Sequence, residues 1–288
     1  MPSSLQRGGA GWAATMACLL EASAPKPGNV HPAASFPDLS YDDLVAAALA
    51  IGPILEDAST APLGNVILEA VRQSRRVARS NANLGMILAL APLAAVPPDA
   101  WPPTVDGNSL TPLSTAVAAV LDRLDAADTV AIGRARGEAR PGGMGTVPHH
   151  DLAGPPPADI LAAMRLAAGR DSIAALWAGG YGNVLGGLVV DLENALRRST
   201  DWRDAVVNAF LRQLARSPDT LIMRRHGVAV AGEVSDRAAA VVATSPANRS
   251  RAVADFDRSL REPACINPGT TADLVAAALY IFLRRPPR

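Results

Sequence analysis

Two short segments near opposite ends of the chain carry residue types suited to a polyphosphate: Ala24-Pro25-Lys26-Pro27-Gly28-Asn29-Val30 and Asn267-Pro268-Gly269-Thr270-Thr271-Ala272-Asp273-Leu274. In the first, prolines on both sides of Lys26 stiffen the loop, so an ammonium meeting a phosphate loses less entropy there. Gly28 lets backbone approach a ligand closely. A plain turn with an exposed lysine would use the same residues. In the second, Pro268 and Gly269 interrupt the preceding structure, and Thr270 or Thr271 is expected to cap a new helix. Asp273 would then occupy its first turn, where the helix dipole favours a carboxylate whether or not it has chemistry to perform. Between these segments, Gly142-Gly143-Met144-Gly145 and His149-His150-Asp151 share one long irregular stretch. The glycine run lacks the lysine and the serine or threonine of a phosphate-binding P-loop. The paired histidines lack a third histidine or cysteine at zinc-ligand spacing.

The elements that must position these residues read as helices. Apolar residues recur at helical spacing over Gly11–Ala22, over Leu63–Arg79 with its arginines opposite, and over Thr271–Arg284. Leu84–Leu93 is apolar nearly all round, which predicts a buried central helix. Ser40 is placed to cap a helix through Leu44, Ala48 and Ile51, with Asp42 and Asp43 in its first turn. Further helices are expected from Thr129, Ala158, Ser172, Val184, Trp202, Ser235 and Asn248, with short helical pieces from Asp219 to His226. Abundant alanine, few aromatics and no internal repeat fit an all-α fold, a single-domain multi-helix bundle over residues 1–288.

Basic and acidic residues balance at 27 each, so no overall field points to nucleic acid or an anionic membrane surface. No apolar run approaches bilayer-spanning length. The Ala10–Leu20 run with Ala22-Ser23-Ala24 imitates a signal peptide, but it continues a core stripe through Trp12 and Met16, and the expected location is cytoplasmic. Cys18 and Cys265 read as buried small hydrophobes of a reducing compartment.

In order, Pro25-Lys26-Pro27-Gly28, Arg136-Gly137-Glu138 with a following glycine, Asp219-Thr220 with Arg225 and Gly227, and Asn267 to Leu274 resemble the signatures of the triphosphoribosyl-dephospho-CoA synthase family. That resemblance implies a helical enzyme using ATP. Adenine leaves, and the ribose C1, with its triphosphate retained, joins a hydroxyl of dephospho-CoA. Such pentosyl transfer passes through an oxocarbenium-like state that calls for nearby negative charge and a base for the hydroxyl. Asp38, Asp151 and Asp273 are the candidates for base, and Asp151 and Asp273 for a magnesium ion. Lys26, Gly28, Arg136 and Arg225 are the candidates for holding the nucleotide. Asn81, Ala82, Asn83, Leu84 and Gly85 stand where the family carries Asn-Thr-His-Lys-Gly, so a histidine and a lysine are replaced. Asn81 is retained, and Asn83 can hydrogen-bond a ribose or phosphate oxygen. The replacement motivates a second reading, with phosphoribosyl pyrophosphate as donor and a pterin- or folate-like acceptor. A third is a helical scaffold without catalysis, in which the Leu84 run and the last helix serve packing. A small phosphorylated substrate is the expected partner, with neither nucleic acid nor membrane, in a protein compatible with a homodimer.

Overall fold

Helix starts govern how this chain is assembled, because the first N–H groups of a helix have no partner inside it. The computed structural model describes residues 8–78, 83–102, 110–139 and 159–285. Among them are fourteen helices and no strand; two isolated bridges, His31–Ala34 and Phe36–Leu39, fold the loop before Ser40 into tight turns. The first half holds α1 (Ala10–Ser23), α2 (Tyr41–Glu56), α3 (Leu63–Val77), α4 (Leu84–Ala94), α5 (Thr111–Leu121) and α6 (Ala126–Ala139). Next come α7 (Ile160–Ala167), α8 (Ser172–Gly179), α9 (Tyr181–Arg198) and α10 (Trp202–Arg216). The chain closes with α11 (Thr220–His226), α12 (Val228–Ala243), α13 (Pro246–Arg261) and α14 (Gly269–Leu283). The molecule is an all-α single-domain bundle.

Some helices carry their own caps. Ser40 and Asp43 form a full capping box on α2, as the sequence predicts. Asp159, Asp171 and Asp219 each accept two backbone N–H groups at the starts of α7, α8 and α11. Four others are preceded by glycine or proline, with no side-chain acceptor at that position, and take one from far along the chain. Glu56 Oε2 accepts from Gly11 N of α1 at 2.6 Å. Asp128 Oδ1 accepts from Gly64 N of α3 at 2.8 Å, and Ser114 Oγ from Gly182 N of α9 at 2.6 Å. Asp219 Oδ2 accepts from Thr271 N of α14 at 2.6 Å.

The core forms around α4 and α14. Met86 to Ala94 of α4 are buried throughout, and α14 buries all but a few side chains, so these two apolar helices lie inside a shell of amphipathic ones. Pro92 sits within α4 and has no N–H to give the Leu88 carbonyl four residues earlier. Trp177 of α8 fills that gap, donating Nε1–H to Leu88 O at 3.0 Å, while Tyr181 donates its hydroxyl to Ala89 O at 2.9 Å.

Two sequence expectations change. The expected Ser235 helix begins at Val228, because α11 ends at Gly227, with φ 92°, and α12 starts at once. Cys265 is exposed and has a positive φ of 48°, while Cys18 is buried; both are free thiols. On the arginine face of α3, Arg75 and Arg76 are exposed, and Arg72 makes a two-pronged, solvent-exposed ion pair with Glu138 of α6. Among the described residues no single helix is long and apolar enough to cross a membrane; α8 and α9 reach that length only as a pair bent by 115°.

The two α4 contacts differ in what their loss leaves behind. Trp177→Phe orphans a buried carbonyl that Pro92 cannot serve and is expected to cost about 1–3 kcal/mol. Tyr181→Phe leaves Ala89 O with its helical donor, and about 0.5–1.5 kcal/mol is expected. Urea unfolding of the two variants checks the order.

Candidate active site

The two segments singled out at the ends of the sequence touch. Gly28 has φ 74°, and a Cβ there would come within 2.8 Å of Ile266 O and 2.9 Å of Pro268 Cδ. Its N–H donates to Asp257 Oδ1 at 2.8 Å. Asn29 Nδ2 donates to Asn267 Oδ1 at 2.6 Å, and Arg261 ties Asp257 to the Asn29 carbonyl. Gly28 therefore serves the seam between the loop, α13 and the start of α14; this packing alone accounts for glycine.

Behind that seam, Asp219 joins two helix starts. Its Oδ1 caps α11, and its Oδ2 accepts from both the N–H and the hydroxyl of Thr271, at 2.6 and 2.8 Å. Thr271 thus does not cap its own helix. The residue before α14 is Pro268, and Asp273 falls at the fifth position, beyond the first turn. Capping does not explain Asp273. Nearby, Asp171 caps α8 through Oδ1 and takes an ion pair from Arg224 on Oδ2 at 2.6 Å.

Asp273 is half-buried and makes no hydrogen bond or ion pair among the described residues. Its carboxyl is packed against the first turn of α4: a Cβ on Gly85 would lie 2.1 Å from its Oδ2. Desolvation holds its pKa well above the usual carboxylate range, the charges of Glu21 and Asp219 push the same way, and Arg224 opposes them. Surrounding protein also raises the thiol of Cys18, with Glu21 and Asp273 adding to the effect. Cys18 and Glu21 are one turn apart on α1 and so face the same side. Burial raises Asp219 too, against the lowering effect of its hydrogen bonds.

Lys26, in place of a free ammonium awaiting phosphate, is 0% exposed. It lies 2.8 Å from Glu21 Oε1 and donates to the backbone carbonyls of Glu21 and Ala24. Arg136 on α6 is half-buried without a hydrogen-bond partner among the described residues; desolvation lowers its pKa and the charge of Asp171 opposes this. Arg225 is exposed at the end of α11. Asn83 precedes α4, buried at 5% exposure, and its Oδ1 has no partner. Asp38 lies in an exposed turn and is not among the groups acting on Asp273. Asn81, Asp151, the paired histidines and the glycine run lie outside the described residues. Glu21 and Asp171 were not anticipated. Glu21 had left a signal, as a lone charge in an apolar helical stretch five residues before Lys26.

Among the described residues no three histidine, cysteine or carboxylate side chains group as a metal cage. A concavity of about 220 Å³ lies elsewhere, between Ser59–Leu63 and Arg123–Asp128, and shares no residue with this cluster. The Asp273 carboxyl, without a hydrogen-bond or ion-pair partner among the described residues, points to its own cluster, where a ligand's charge has something to answer.

Residues 9–287 match the family described as CitG: ATP:dephospho-CoA triphosphoribosyl transferase. The chain belongs to that family, and its general chemistry is that of a transferase. The fold is similar to the crystal structure of an Archaeoglobus fulgidus protein provisionally assigned as a triphosphoribosyl-dephospho-CoA synthase. The TM-score is 0.59 at 22% identity, covering 85% of this chain and 99% of that one. No curated protein matches the chain at a significant level.

A carboxyl whose pKa is raised on folding binds its proton more tightly in the folded state. Its contribution to stability therefore falls as pH rises from the unfolded value near 3.8 towards the raised one. Asp273→Asn is expected to melt above the parent at pH 8, with the difference closing as pH approaches 4. Thermal melts across that range check it.

Proposed function

We propose that this protein transfers the triphosphoribosyl group of ATP to a hydroxyl acceptor such as dephospho-CoA, with Asp273 at the centre of the site. The observation that carries the reading is a carboxyl with no hydrogen-bond or ion-pair partner among the described residues, on which the charges of Glu21, Asp219 and Asp171 act; Asp171 also acts on the guanidinium of Arg136. A site that concentrates negative charge suits a ribose becoming oxocarbenium-like. In the reaction the bond from C1′ to the adenine nitrogen breaks and a bond from C1′ to the acceptor oxygen forms. The hydroxyl proton leaves with adenine, and the triphosphate stays on the 5′ carbon.

The residues fit a magnesium ion on the substrate's phosphates. Asp219 and Asp171 spend their oxygens on helix starts, Thr271 and Arg224, which leaves Asp273 as the hard oxygen donor. Magnesium is commonly held by one or two carboxylates, with substrate oxygens and water completing its shell. When bound it would offset the charge of the polyphosphate. Arg136 and Arg225 provide donor forks for phosphate oxygens; Asn83 offers an acceptor to a ribose hydroxyl. Gly85 keeps α4 clear of the Asp273 carboxyl. Asp38 and Asp151 remain proposed general bases, Asp151 also as a second oxygen donor to the ion.

A second reading keeps the site and takes phosphoribosyl pyrophosphate as donor, favoured by Asn83 and Leu84 standing where the family carries histidine and lysine. The leaving group decides between them, adenine for the first and pyrophosphate for the second. The protein with magnesium, dephospho-CoA and ATP is expected to release adenine in step with product. If it releases neither leaving group from its respective donor, with dephospho-CoA or a folate-like acceptor, the reading is lost. Asp273→Asn should lower turnover at least about 100-fold while the fold persists. Gly85→Ala should leave the melting temperature within a few degrees, because a carboxyl can swing aside. It should still lower turnover on the order of 100-fold, since a displacement of about 1 Å suffices for that.

A further inference from the structure

We infer that Glu21 is the second carboxylate of the Asp273 site and that Lys26 is a positioning residue, which holds Glu21 and does not itself contact substrate. The inference rests on the proposed function for the identity of the ligand, but its geometry stands apart from it. The Lys26 ammonium donates to the Glu21 carbonyl and, at 3.2 Å, to the Ala24 carbonyl, and it is ion-paired with Glu21 Oε1 at 2.8 Å. The Glu21 carbonyl belongs to the last turn of α1 and that of Ala24 follows directly after it, so the cation also meets the negative end of the helix dipole. The side chain is fully enclosed, so no phosphate reaches the ammonium.

Glu21 is correspondingly fixed. One oxygen is gripped by Lys26, while Oε2 receives no hydrogen bond from any described residue. The carboxylate faces the same interior as Cys18, one helical turn earlier, and its charge acts on both Cys18 and Asp273. Because α1 packs against α14, the two carboxylates come from neighbouring helices, one braced by Lys26 and one without a partner among the described residues. Pro25 and Pro27 then acquire a purpose different from presenting Lys26 outward: they fold the chain back so that the ammonium reaches the helix it has just left.

A double-mutant cycle in the full chain tests this. Binding of ATP in excess magnesium chloride is measured by calorimetry for the parent, Glu21→Gln, Lys26→Met and the double variant. Glu21→Gln should weaken binding at least tenfold, and the double variant should stay within about threefold of Glu21→Gln. A further tenfold loss in the double variant would mean that Lys26 touches the nucleotide, and parental binding by Glu21→Gln would remove Glu21 from the site; either overturns the inference. Melting temperature gives the second reading. Lys26→Met strands a buried carboxylate and should melt well below the parent, or fail to fold. The double variant should regain at least half of the loss, and an equal or lower melting point would sink the pairing. If the parent binds no magnesium ATP, the proposed function falls, while the melting cycle still decides whether Lys26 serves Glu21.

Discussion

The borrowed helix cap is the constraint on which this architecture turns. A helix entered from glycine or proline begins with N–H groups and no side chain at hand to receive them. Here Glu56, Asp128, Ser114 and Asp219 reach across the fold to α1, α3, α9 and α14. Each contact fixes where one helix starts relative to another, with less slack than apolar packing allows. Asp219 serves two starts at once, so α11 and α14 are registered by a single carboxylate. The position of Asp273 follows two residues after the hydroxyl that Asp219 grips.

The cluster around Asp273 shows how charge is divided between structure and ligand. Asp171 and Asp219 are of the same residue type as Asp273, yet their oxygens are committed to backbone, hydroxyl or guanidinium donors. Glu21 is half committed, through Lys26. Asp273 has no partner among the described residues, and surroundings that disfavour its ionised form leave it the group with most to gain from a cation. Arg136 is its counterpart of opposite sign. Neither residue is accounted for by the stability of the chain alone.

Much of the fold was legible in the sequence because its signals are local. The capping box at Ser40 depends on residues three apart, and the enclosed α4 on an uninterrupted apolar run. What escaped depended on partners far along the chain. Thr271 looked like a cap because hydroxyls at helix starts usually are, but the acceptor it would have been became a donor to Asp219. Gly28 looked poised for a ligand and instead admits Ile266 and Pro268. Lys26 suggested an open ammonium, since nothing in its neighbours reveals that the loop doubles back onto α1. Cys265 looked apolar and stands in solvent because the turn before α14 exposes it.

The seam between Asn29 and Asn267 joins residues 238 apart in the chain. Loop closure over such a span comes late, after local helices have formed. Local helices such as α1 and α13 can therefore form before the strap that holds the Lys26 loop is tied. Until α14 docks, the buried ion pair of Glu21 and Lys26 lacks part of the wall that keeps water from it, so the same helix that completes the core also seals these charges.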